Sequence, residues 1–172
     1  MKKLSILFLL GIFVFGVETS LAQSKQDKDR AAFIGNTKLL EKKPFDDNAP
    51  AAREWNFKWL TDTKDVTITV CSGTLKLIPE KKNKFHSELF LQFNFGMAVF
   101  SLQNPDKKDD EVAATVAGLE SALRAYEVMV TENKKAQNPA MDELLAKRAS
   151  NGLASYVETN TCKQDDKKKD KK

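Results

Sequence analysis

Ligands and nucleophiles are scarce in this chain. It has a single histidine, His86, and two cysteines, Cys71 and Cys162. A zinc site needs more ligands than these supply. A serine-type triad needs a nucleophile turn such as G-x-S-x-G, which does not occur, so His86 reads as a helix-start or surface residue. No glycine-rich phosphate loop is present, and Asp109, Asp110 and Glu111 lack the ligand order and glycine of a calcium loop. No catalytic residue, cofactor site or metal site is therefore assigned, and the chain reads as a non-enzyme.

An excess of one charge is also missing once the ends are set aside. The whole chain carries 28 basic and 24 acidic side chains. Residues 1–22 hold Lys2, Lys3 and Glu18, and the last ten residues, KQDDKKKDKK, hold six lysines and three aspartates. What is left, Gln23 to Cys162, has 20 of each sign. A neutral body has no electrostatic footprint for nucleic acid. The tail 163–172 has no apolar residue and reads as a disordered, solvated end.

Long apolar runs are absent except at the start. Lys2 and Lys3 precede an apolar core from Leu4 to Val17, and Ser20-Leu21-Ala22 supplies small residues for a cut before Gln23. The run is 14 residues, against the roughly 20 a spanning helix needs. Residues 1–22 are thus expected to be a cleaved signal peptide, with export to a periplasmic or extracellular space and no stable membrane insertion afterwards. In that oxidising setting two cysteines without a Cys-x-x-Cys spacing point to one structural disulfide, Cys71–Cys162. Closing so long a loop stabilises by at most about 4–5 kcal/mol in the chain-entropy model.

What is present is helical periodicity. Residues 23–47 read as a flexible linker with apolar patches at Phe33-Ile34 and Leu39-Leu40. The domain follows at 48–162. Asn48 and Pro50 are expected to open a helix placing Trp55 and Trp59 on one face beside Leu60. In FHSELFLQFNFGMAVFSLQ, residues 85–103, Phe85, Leu89, Phe93, Met97 and Phe100 mark one side, and Leu91, Phe95, Val99 and Leu102 another. A helix apolar on nearly all sides belongs at the centre of its domain. Its first stripe is also a candidate apolar groove for a small molecule or lipid. Asp109 is the expected cap of the next helix, in which Val112, Val116, Leu119, Leu123, Tyr126 and Val130 form the apolar stripe. Ala114, Gly118, Ala122 and Ala125 form a small-residue stripe beside it. Asn138 and Pro139 restart the pattern, with Met141, Leu144 and Leu145 inward and a further turn after Asn151-Gly152.

One stretch reads two ways. In DVTITVCSGTLKLIP, residues 65–79, Val66, Ile68 and Val70 alternate with threonines as in a hairpin, while Val66, Val70, Gly73 and Leu77 also share a helical face. A lone hairpin is marginal without a third strand, which favours a helix from Thr63 or Asp65 to Leu77. The fold class expected is all-α: a single-domain helical bundle or helical-hairpin array stapled by one disulfide.

FNFGMAVF followed by GLESALRAYEVMV and Asn138-Pro139 resembles a tetratricopeptide-type helical hairpin over about residues 89–139. Phe95-Gly96 and Val99 stand at first-helix positions, and Ala122, Tyr126 and Asn138-Pro139 at second-helix positions. The separation of 26 residues between Gly96 and Ala122 is longer than the family's, and no second copy occurs. The resemblance implies a scaffold for an unidentified protein or peptide partner, and it carries over no catalytic residue.

Overall fold

The computed structural model describes residues 16–70 and 84–160, with side chains from Lys25 onward. Among the described residues there are six α-helices and no strand: α1 (Gly16–Lys42), α2 (Ala49–Asp62), α3 (His86–Gln103), α4 (Glu111–Glu132), α5 (Pro139–Ala149) and α6 (Leu153–Glu158). Short 3₁₀ turns at Pro105–Lys107 and Lys134–Ala136 join α3 to α4 and α4 to α5. The all-α class holds. None of the described helices is long and apolar enough to cross a membrane. Cys71, Cys162 and the stretch 71–78 lie outside the described residues.

Helix α3 is the centre, and its two sequence stripes become two cores. Phe85, Leu89, Phe93 and Met97 pack with Leu119, Leu123 and Met129 of α4 and with Met141 and Leu144 of α5. Phe95 and Ala98 pack instead with Phe33 and Leu40 of α1 and with Ala49 and Ala52 of α2.

The α3–α4 pair approaches closely at two glycines. A methyl group added at Gly96 would stand 2.5 Å from Ser121 Cβ and 3.0 Å from both the Ala117 carbonyl oxygen and Gly118 Cα. One added at Gly118 would stand 2.7 Å from the Phe93 carbonyl oxygen and from Met97 Cγ. Each glycine therefore leaves free the space that atoms of the other helix fill: Ser121, Ala117 and Gly118 at Gly96, and Phe93 and Met97 at Gly118. Gly96 thus meets Gly118 and Ser121.

Caps follow the sequence in part. Asn138 accepts from the amides of Ala140 and Met141 at 2.9 and 3.3 Å, with Pro139 opening α5. The α4 cap is Asp110, which accepts from Ala113 at 3.0 Å, one residue later than expected. Asn48 holds the cap position of α2 but makes no side-chain cap bond, because its side chain and its amide both turn to Asp46. Between α5 and α6, Asn151 takes a left-handed φ of 56°. The amides of Asn151 and Gly152 then reach back to the carbonyls of Arg148 and Lys147, closing the helix end.

Two sequence expectations are corrected. Residues 23–47 are not a flexible linker: α1 continues to Lys42, burying Phe33, Thr37 and Leu40 along one face. A threonine in the middle of that stripe broke the apolar periodicity that would have marked it. The helix expected from Thr63 or Asp65 is also absent over 63–70, which is non-helical. Val66, Ile68 and Val70 turn inward and Thr67 and Thr69 outward, the period of two that a β-branched run favours. Arg30 Nε donates to Asp65 Oδ2 at 2.7 Å and fixes the start of this segment on α1. That bond holds the Asp65 carboxyl below the ordinary carboxylate range.

Tyr126 ties α4 to α5. Its hydroxyl accepts from the Asn138 amide at 2.8 Å and donates to Asp142 Oδ1 at 2.7 Å. Burial first, and then the bond to Asp142, push the phenol up to about 12.

Two predictions follow from these contacts. Gly96→Ala and Gly118→Ala should each destabilise by about 1–3 kcal/mol, the range of overpacking in a close-packed core. Gly35→Ala, with nothing within 4 Å of the added methyl, should stabilise by about 0.5–1 kcal/mol. Urea melts of the three variants check the opposite signs. Tyr126→Phe should cost about 1–2 kcal/mol near neutral pH, the loss of a buried hydrogen-bond partner. The folded phenol's pKa is raised above its unfolded value, so the stability it contributes is complete below pH 10 and is lost as pH rises through about 12. Melts of wild type and Tyr126→Phe should accordingly converge between those two pH values, and a constant gap would contradict the assignment.

Candidate functional site

The face of α3 turned toward α1 buries one polar side chain, Gln92, beside the apolar Phe95 and Ala98. Thr37, Asn56, Gln92 and Ser121, from four different helices, are each at most 3 % exposed. Buried polar groups must find partners, and these find one another. Asn56 Nδ2 donates to Thr37 Oγ1 at 3.0 Å and to the Phe33 carbonyl at 3.2 Å, while its Oδ1 accepts from Asn36 at 3.1 Å. Gln92 Nε2 donates to the Thr37 carbonyl at 3.1 Å and to Ser121 Oγ at 2.8 Å. Among the described residues no buried side-chain nitrogen or oxygen is left without a partner.

The chain of bonds ends at the surface on an ion pair. Ser121 Oγ donates to Glu41 Oε1 at 2.6 Å. Arg124 donates to both oxygens of the same carboxylate, from Nε at 2.8 Å and from Nη2 at 2.7 Å. This two-pronged geometry is the strong form of the pair. Glu41 is only 12 % exposed, and its hydrogen bond raises the Arg124 guanidinium above its ordinary range. Glu120 lies 3.7 Å from Arg124 and 3.8 Å from Arg148, and Glu127 holds Arg148 from the other side.

Beside this crossing a cleft of about 330 Å³ opens between α1, α3 and α4. Its floor is Gly96, Val99, Phe100 and Ala117, and its rim carries Lys38, Glu41, Glu120 and Arg124. The rim carboxylates are neutralised by arginines, and Thr37 and Ser121 are committed to the buried chain of bonds. The arrangement offers an amphipathic surface more than a reacting group.

The candidate groove residues separate. Phe85, Leu89, Phe93 and Met97 are buried core side chains covered by α4 and α5, and Phe100 alone of the five lines the cleft. His86 stands at the first turn of α3 with its ring stacked on Phe90, 6.0 Å between centroids. Among the described residues no group of three His, Cys, Asp or Glu side chains could hold a metal ion. The tryptophans of α2 stack on each other at 6.4 Å, but Trp55 is exposed, and the buried side of the helix is Ala49, Ala52 and Asn56. The sequence reading missed Asn56, Gln92 and Ser121. The available signal was their register: Gln92 adjoins the core Phe93, and Asn56 follows Ala52 by one helical turn.

Asn56→Ala should destabilise by about 2–4 kcal/mol, since it leaves Thr37 and Asn36 short of a partner in a site closed to water. Lys58→Ala, on the exposed side of the same helix, should change stability by less than about 0.5 kcal/mol. Thermal melts of the two variants test this contrast.

Compared with protein-family models, with curated proteins and with solved structures, the chain matches none.

Proposed function

We propose that the protein is an exported, non-enzymatic interaction module that presents the outer surface of α2 to a protein or peptide partner. The observation that carries this reading is where its aromatic surface lies. Among the described residues three large hydrophobic side chains are exposed: Phe45 at 37 %, Trp55 at 37 % and Phe57 at 53 %. All three belong to α2 or to the loop that leads into it. Aromatic side chains are the usual anchors of protein interfaces. The close-packed α3–α4 hairpin supplies a rigid support of the kind that the tetratricopeptide resemblance implies.

Export rests on the signal-peptide pattern. The described side-chain hydrogen bonds and ion pairs of α1 come from Gln26 onward, so a cut before Gln23 leaves its packed part intact. The Cys71–Cys162 staple rests on export and on a count of two cysteines, which lie outside the described residues. Mass spectrometry of the exported protein should find Gln23 at the N-terminus and no titratable thiol.

A second reading, the binding of a small apolar molecule or lipid between α3 and its neighbours, is favoured by the cleft over Val99, Phe100 and Ala117. Its volume lies at the lower end of the range for small-molecule sites.

The test is cross-linking in the exported fraction with wild type, Phe57→Glu and Ala117→Trp. The interaction reading predicts a discrete cross-linked partner that is lost with Phe57→Glu and kept with Ala117→Trp. The reverse pattern, or a thermal shift with fatty acid that Ala117→Trp abolishes, would favour the cleft.

A further inference from the structure

Asn151 stands apart from the other asparagines. It alone in the chain is followed by glycine. Its side chain is exposed and makes no hydrogen bond among the described residues. Every other described asparagine side chain gives or accepts one, Asn36 with Asn56, Asn48 with Asp46 and Asn160 with the Tyr156 carbonyl among them. Asn151 is also the one non-glycine residue among the described residues with a left-handed φ, 56°. Its turn is held by the Asn151 and Gly152 amides, which donate to the carbonyls of Arg148 at 3.0 Å and Lys147 at 2.8 Å. Beyond the turn, α6 is six residues long and buries only Leu153 and Val157.

We propose that Asn151 is a self-modifying site, converted to aspartate and isoaspartate through its own backbone, and that the isoaspartate form releases α6. The Gly152 amide nitrogen gives up its proton and attacks Asn151 Cγ. A C–N bond forms, and the side-chain nitrogen leaves as ammonia. The cyclic imide then takes up water and opens at either carbonyl. One opening leaves aspartate; the other leaves isoaspartate, with the main chain rerouted through the former side chain. Gly152 suits this attack because no Cβ crowds its nitrogen. Its N–H must first leave the Lys147 carbonyl. That bond lies at a helix end, where opening is local and costs far less than global unfolding. The Asn151 side chain is held by no other bond and is free to turn onto the nitrogen. The two products differ in consequence. Aspartate keeps the backbone, and its charge follows a last turn that carries Lys147 and Arg148. Isoaspartate adds a methylene to the main chain, so the turn cannot keep both amide bonds in register, and the short α6 comes away from the core.

Ageing the intact exported protein in mildly alkaline buffer, followed by peptide mapping that separates aspartate from isoaspartate, tests this. Conversion should appear at Asn151 before any other described asparagine. Gly152→Ala keeps the fold, because the added methyl stands at contact distance, 3.4 Å from Ser150 Oγ, and alanine adopts the φ of −93° found there. It should slow conversion about tenfold, equivalent to about 1.4 kcal/mol on the barrier. Hydrogen exchange over Leu153–Glu158 should be about tenfold faster in the isoaspartate fraction than in Asn151→Asp, which has the same charge on an unaltered backbone. Absence of conversion at Asn151 in the folded protein, over a time in which the urea-unfolded chain converts it, would overturn the proposal. So would a Gly152→Ala variant that converts as fast as wild type. Equal exchange in the two acidic forms would overturn the release of α6.

Discussion

The contact on which the rest depends is between two glycines. Gly96 and Gly118 let α3 and α4 approach until backbone meets backbone, with Ser121 Cβ and the Phe93 carbonyl filling the space that side chains would need. A mid-helix glycine costs about 1 kcal/mol relative to alanine, and here two are kept at one crossing. The close approach brings Phe93 and Met97 against Gly118 on one side and sets Ser121 beside Gln92 on another. Both the main core and the polar seam are therefore fixed by the same crossing. A wider separation would open voids around Phe93 and stretch the Gln92–Ser121 bond together.

The polar seam gives the fold its second organising feature. A central helix with an apolar circumference could be packed from any side. Gln92 in its α1-facing surface has one satisfactory arrangement, with a carbonyl of α1 and the hydroxyl of α4 in reach at once. Asn56 does the same for α2 against α1. Buried polar groups of this kind select one arrangement at some loss of stability. In this protein they also divide the interior into two cores of different composition.

Much of this was legible in the sequence and some was not. The two stripes of α3 could be read residue by residue, because a spacing of three and four over eighteen residues has no other simple meaning. The small-residue stripe of α4 announced a close neighbour, and Asn138-Pro139 announced the start of α5. Helix α1 was hidden by Thr37, whose hydroxyl is buried by bonding to the Phe33 carbonyl and to Asn56. A hydrophobicity pattern sees that position as a gap. The segment 63–70 was misread for the opposite reason. Its alternation is plain, but a lone hairpin is marginal without a third strand, whereas the segment is extended without any strand partner among the described residues. The seam residues carry no local signal of their partners, since Gln92 and Ser121 are 29 residues apart and Glu41 is 80 from Ser121.

The most direct test of the account is a nuclear Overhauser measurement between the Hα protons of Gly96 and Gly118 in isotopically labelled protein. Direct backbone contact predicts strong cross-peaks between the two glycines, accompanied by peaks from Gly96 Hα to the Ser121 Hβ protons. If those peaks are missing while α3 and α4 are otherwise helical and assigned, the helices do not meet at the glycines. The central packing described here would then be wrong.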